Sequence, residues 1–200
     1  MLDKKYFAKL YKDFKLAEGK RSAVHKAASD GLHAAKRAIF SFHRNDWKSG
    51  EANLVLSLKG IEAALAQVGE AEVKECEGVV QAATEEYVEA ELFRQFLYKE
   101  TLGEPRGLKV DWQTYLAGLT DTVGEISRYV VKQATERQLH EVNRAKEMVE
   151  EIMASLIEFN LTGYLRTKFD QAKQARRKIE EVAYDLSLKI NKKFKSDDDA

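Results

Sequence analysis

One proline and eleven glycines in 200 residues leave little of the punctuation that hairpins and tight turns need. No strand signal competes with the 3.6-residue periodicity along the chain. The expected fold is therefore all-α, a single-domain bundle of about six long helices over residues 1–194, with a polar, acidic tail at 195–200 that frays. Cysteine is almost absent. Cys76 alone closes no internal disulfide and has no Cys or His at ligand spacing, so it reads as an inert helix residue in a reducing compartment. No uncharged apolar run approaches the ~18 residues of a membrane span, and Met1 to Lys20 holds no charged-then-apolar leader. A cytoplasmic protein without a membrane partner is expected.

Several chemistries are missing as well. No Ser/His/Asp order, nucleophile elbow or phosphate-cradling glycine loop occurs. His25, His33, His43 and His140 supply no Glu-x-x-His pair for a di-iron bundle and read as ordinary helix-face residues. Any catalysis here rests on carboxylates and a metal. Net charge is zero, which by itself gives no support to nucleic-acid binding. Its distribution is uneven: residues 1–50 carry 12 Lys+Arg against 5 Asp+Glu, and residues 51–100 carry 4 against 11. A basic strip beside an acidic site fits this asymmetry, as do two helices that attract each other.

Spacings of three and four place Phe7, Leu10, Phe14, Ala17, Val24, Ala28, Ala35, Ile39 and Phe42 on one stripe of a first helix. It runs from an Asp3 cap to Arg44, with a bend allowed at Gly31. Residues 45–50 read as a turn, and a second helix runs from about Glu51 to Gln67, closed by Gly69. The third spans about Glu72 to Glu100 and stops before the Gly103 to Gly107 cluster. A fourth, capped by Asp111, reaches about Lys132 with Trp112, Tyr115, Leu119, Val123, Ile126 and Val130 on its stripe. A fifth covers about Ala134 to Glu158, and a sixth follows the Asn160 to Gly163 turn to about Lys192. Such long helices leave apolar flanks, so homo-oligomerisation is expected.

The chain is organised around Glu86-Tyr87-Val88-Glu89-Ala90. At 100° per residue, Glu86 and Glu89 share the core side with Val79, Ala82, Ala90, Phe93 and Leu97, whereas Glu85 and Glu91 point elsewhere and stay wet. An ionised carboxylate in an apolar stripe calls for a partner. A metal ion and a neighbouring Arg or Lys both satisfy that demand. Asp121 and Glu125 form an i,i+4 pair beside Gly118 on the next helix. Short-linked helices are usually antiparallel neighbours, so the two pairs are candidates to converge on one or two Mg²⁺ or Mn²⁺ ions. Basic residues cluster at Lys36, Arg37, His43 and Arg44, and again at Arg166, Lys168, Lys173, Arg176, Arg177 and Lys178. They are either phosphate-tracking faces or solvated, salt-bridged ones.

Four stretches resemble the translin superfamily: Lys36-Arg37-Ala38-Ile39-Phe40-Ser41-Phe42-His43-Arg44, Glu85 to Ala90, Asp111 to Gly118 continuing through Gly124 to Arg128, and Lys178 to Ser187. They follow the family's order and cover roughly residues 20 to 190. The retained Glu86, Glu89 and Asp121 are similar to the Trax branch (translin-associated factor X). That resemblance implies an α-helical fold, a Mg²⁺-dependent endoribonuclease, single-stranded RNA as substrate and an octameric shell. Glu86, Glu89 and Asp121 would be catalytic and, with Glu125, metal-binding. Lys36, Arg37, Arg44, Arg166, Lys173 and Arg177 would hold RNA, with single-stranded DNA a second ligand. Two features depart from the family: Glu75-Cys76-Glu77-Gly78 stands where translin has a basic, His-containing stretch, and the connection around Gly103 to Lys109 is short. Without a translin-type partner in view, a homo-octamer is expected. The rivals are a non-catalytic single-stranded RNA/DNA scaffold with its glutamates bridged to Arg37 or Arg44, and an all-helical nucleotide pyrophosphohydrolase.

Overall fold

Six helices carry the described residues, with no strand among them: α1 (Lys4–His43), α2 (Trp47–Gln67), α3 (Val73–Leu97), α4 (Trp112–Thr135), α5 (Leu139–Ile157) and α6 (Gly163–Asp197). The computed structural model describes residues 1–67 and 73–197, and the side chains of all of these except 73–75, 77 and 190–197. Gly69, expected to close α2, lies outside the described residues. The chain divides into two compact units: residues 1–94 with 104–110, and residues 95–103 with 111–200. No described helix is long and apolar enough to cross a membrane.

In the first unit Asp3 caps α1 by accepting from the Lys5 and Tyr6 amides at 3.0 and 3.2 Å. The seam of α1 is buried only from Val24 onward, against α2. Phe7, Leu10 and Phe14, expected in that seam, are instead 50%, 42% and 54% exposed. Length explains this: α2 has 21 residues to set against the 40 of α1. Gly31 and Gly60 mark a close approach of the two helices. A Cβ added at Gly60 would stand 2.8 Å from Gly31 Cα and 2.9 Å from the Ala27 carbonyl oxygen, both backbone atoms. Gly60→Ala is therefore expected to destabilise the protein by about 1–3 kcal/mol, read as a lower urea midpoint at unchanged slope.

Three helix ends share one device that the sequence hides. Asn45, Lys99 and Arg137 take left-handed φ values of 60°, 60° and 58°, and none of them is glycine. After each, the next amide reaches back five residues: Asp46 to Ser41, Glu100 to Gln95 and Gln138 to Gln133, at 2.8–2.9 Å. This is the hydrogen bond of a Schellman ending. It corrects two boundaries. The turn expected over residues 45–50 is confined to residues 44–46, because Asp46 already accepts from the Ser49 amide at 3.1 Å and α2 starts at Trp47. Likewise α5 begins at Leu139 rather than Ala134.

In the second unit α4, α5 and α6 pack on one another. Asp111 caps α4 as expected, accepting from the Thr114 amide at 2.9 Å and its hydroxyl at 2.8 Å. Val123, Ile126 and Val130 are fully buried, but Trp112, in the first turn, is 61% exposed. The last helix continues to Asp197, so residues 195–197 lie within it, and 198–200 lie outside the described residues.

Glu141 gathers a polar cluster in this unit. It accepts from Lys99 Nζ (3.0 Å), Arg144 Nε (2.8 Å) and the Tyr129 hydroxyl (3.0 Å). Burial works against its charge, but these donors win and hold its pKa at about 2, against an ordinary 4.5. Burial and the same carboxylate push the Tyr129 phenol up to about 12. Because the folded pKa of Glu141 is the lower one, its stabilisation is complete above about pH 4.5 and is lost as pH falls toward 2. Glu141→Gln is expected to flatten the fall in melting temperature over that window, with a loss of about 1–3 kcal/mol at pH 7.

Candidate carboxylate site and basic helix faces

The inward stripe of α3 is rotated from the one its periodicity predicts. Val80, Ala83, Tyr87, Val88 and Ala90 are buried, Ala82 is exposed, and Glu86 and Glu89 lie half-buried at the flank. Conversely, Glu85 and Glu91, expected to stay wet, are buried. Every residue from Glu91 to Phe96 is buried, and a helix enclosed on all sides has no facing that a moment can reveal. Glu85 accepts from Gln81 Nε2 at 3.0 Å. Glu91, with no exposed side-chain surface, is held by Arg94 Nη2 at 3.0 Å and Arg106 Nε at 2.9 Å, and Arg106 also reaches Glu51 at 3.0 Å. The charge buried deepest on α3 is thus paired with guanidinium groups. Beside it the Tyr87 hydroxyl donates to the Arg106 carbonyl at 2.6 Å, and burial pushes its pKa up to about 12.

Glu86 meets a different cation. Lys36 Nζ on α1 stands 3.7 Å from Glu86 Oε2, an ion pair longer than a hydrogen bond, with the lysine side chain 58% exposed. The arginines proposed from sequence as bridges to the glutamates are engaged elsewhere: Arg37 Nε donates to Asn53 Oδ1 at 3.2 Å, and the Arg44 guanidinium lies 5.4 Å from the centre of the exposed Phe40 ring. His43 stacks 4.7 Å from Phe93.

Asp121 and Glu125 belong to the second unit, whereas Glu86 and Glu89 belong to the first. Among the described residues, neither unit gathers three or more His, Cys, Asp or Glu into a metal-holding cluster. Lys168 Nζ on α6 donates to Asp121 Oδ2 and lies 5.0 Å from the Tyr164 ring centre. Burial opposes the Lys168 charge, but the hydrogen bonds and charges of Asp121 and Tyr164 outweigh it and raise its pKa above the ordinary lysine value. Glu125 accepts from Arg128 Nη1 at 2.9 and 3.1 Å. Farther along α6, Arg166 and Lys173 share Asp170 at 3.1 and 2.8 Å, and their hydrogen bonds lower its pKa. Arg177 is exposed. The role of Lys168 toward Asp121 was not legible in advance. The residue belongs to a recognised basic cluster, but a partner 47 positions away leaves no local signal.

The translin family model matches residues 19–190. The chain belongs to the translin family. Translin of Gallus gallus is 33% identical over 116 residues, a match that covers 57% of this chain and spans half (50%) of that protein. Among solved structures, AfC3PO is 22% identical with a TM-score of 0.80, covering 92% of this chain and 97% of its own. Ligand-free NeC3PO is 22% identical with a TM-score of 0.79, covering 93% and 98%. AfC3PO in complex with duplex RNA matches as its first form does, at 22% identity and a TM-score of 0.80 over 92% and 97% of the two chains. At these identities the likeness establishes a shared fold.

Within this translin-family chain, the α3 pair suits a hard divalent cation by its chemistry. Glu86 and Glu89 place two hard carboxylates one helical turn apart, both half-buried. The Lys36 side chain is 58% exposed, so its own charge stays solvated when it swings away. Asp121 is held more tightly, since Lys168 is only 13% exposed.

Proposed function

We propose that this translin-family protein is a Trax-like, Mg²⁺-dependent endoribonuclease that hydrolyses phosphodiester bonds of single-stranded RNA. The observation that carries the reading is the half-buried Glu86 and Glu89, one turn apart on α3, with the exposed Lys36 ammonium 3.7 Å from Glu86 Oε2. Glu86 and Glu89 would hold the ion, and the resemblance to Trax assigns Asp121 and Glu125 the same task. When bound, the metal supplies a water of lowered pKa and neutralises charge developing on the phosphate. The chain's own groups do the rest. A carboxylate outside the metal's ligands orients the attacking water and takes its proton. Lys36, Arg37, Arg44, Arg166, Lys173 and Arg177 fix the phosphate backbone without reading bases, which suits single-stranded DNA as a second ligand. Lys168 sets the charge balance at Asp121. A cytoplasmic homo-octamer with its sites facing inward completes the proposal, and the C3PO fold and the RNA complex of AfC3PO support it.

A second reading, a translin-like binding scaffold without catalysis, is favoured by the ion pairs Lys36–Glu86 and Lys168–Asp121, which supply cations to two of the acids. Labelled single-stranded RNA distinguishes them. Cleavage in Mg²⁺ that stops on adding EDTA supports the nuclease. Intact RNA that nevertheless shifts in a gel supports the scaffold.

A further inference from the structure

All residues from Met1 to Ala17 are exposed, among them Tyr6, Phe7, Leu10, Tyr11, Phe14 and Leu16, and this segment precedes the match to the translin family at residue 19. Water is a poor neighbour for such a surface. This end of the 40-residue α1 has no packed face, and Gly19, where an added Cβ would meet no atom within 4 Å, weakens the helix there by ~1 kcal/mol. The segment therefore gains stability by being covered.

The pattern states what kind of surface covers it. Phe7, Leu10, Phe14 and Ala17 continue, in the same heptad register, the seam Val24, Ala28, Gly31, Ala35, Ala38 and Phe42 that packs on α2. The exposed end is thus a coiled-coil seam continued past its partner. Lys5, Lys9, Lys12 and Lys15 fall on the side away from that seam, at outward heptad positions. On a membrane-seeking helix, basic residues border the apolar stripe and reach for headgroups; here the borders carry Lys4, Tyr6, Tyr11, Asp13, Glu18 and Lys20.

We propose that residues 4–20 of α1 pair with the same segment of a second copy, antiparallel about a two-fold axis near Lys12. In that register the large Phe7 faces the small Ala17 of the second copy and Leu10 faces its Phe14, so each layer interdigitates. Lys4 meets Glu18 of the second copy, and the reverse pair repeats the contact. Glu18 now shares Lys15 of its own helix at 2.7 Å, an exposed pair that leaves it able to accept a second cation. Tyr11 meets its own copy at the axis. Asp13 also faces its copy, the one repulsive contact of the register.

Cysteine cross-linking of the full chain, in a Cys76→Ser background, tests partner and direction together and reads no cleavage, so its outcome is independent of the nuclease. Tyr11→Cys is expected to oxidise to a covalent dimer. Phe7→Cys is expected to remain uncross-linked, because its two copies lie about 15 Å apart along the axis, ten residues at 1.5 Å each. On the Tyr11→Cys chain, Lys4→Glu is expected to slow cross-linking at least about fivefold, Lys4→Glu with Glu18→Lys to restore it, and Asp13→Asn to speed it. Equal cross-linking of Phe7→Cys would overturn the antiparallel register. No Tyr11→Cys dimer, with or without co-sedimentation on phosphatidylglycerol vesicles, would overturn the pairing itself.

Discussion

Glu86→Ala and Glu89→Ala are each expected to reduce Mg²⁺-dependent cleavage of single-stranded RNA at least a hundredfold, about 2.7 kcal/mol or more of transition-state stabilisation. Circular dichroism should show unchanged helix content. Both side chains are half-buried on the flank of α3, and the core contacts of that helix come from Val80, Ala83, Tyr87 and Val88 instead. Alanine also favours a helix slightly more than glutamate. Gel assays of the purified variants, with melting temperatures alongside, separate a lost ligand from a lost fold. Full activity in either variant would remove that residue from the site.

Glu91→Ala should behave in the opposite way. Its carboxylate has no exposed surface and lies against Arg94, itself nearly buried, and Arg106. Removing one member of a buried ion pair strands the other charge and costs about 3–5 kcal/mol. In a chain of this size that lowers the melting temperature by about 10 °C. Activity per folded molecule should be unchanged, provided it is assayed well below the transition. Arg94 and Arg106 also contact Glu51, which sets the lower end of the expected loss. A melting temperature within about 2 °C of the parent would mean that the network contributes little net stability.

Comparison of these two sites shows what the sequence can convey. The all-α class, the six helices and the Asp3 and Asp111 caps follow from local rules, namely period, cap chemistry and the scarcity of proline. Helix ends at Asn45, Lys99 and Arg137 were less legible, because a left-handed residue other than glycine gives no compositional sign. The facing of α3 failed for a different reason. Periodicity ranks sides by contrast, and residues 91–96 have none, so the acid that is truly enclosed, Glu91, looked like a surface residue. Partner choice was least legible. That Lys36 rather than Arg37 approaches Glu86, and that Lys168 reaches Asp121, depends on how helices distant in sequence pack together. The motif singled out Glu86, Glu89 and Asp121 as candidates, and geometry determined that Lys36 attends Glu86 and Lys168 attends Asp121.

Anomalous diffraction from a crystal soaked in Mn²⁺ tests the central claim most directly. The account predicts a strong peak within about 2.3 Å of carboxylate oxygens of Glu86 and Glu89, with the Lys36 ammonium displaced. A map without that peak at saturating Mn²⁺, with Lys36 still beside Glu86, would contradict it.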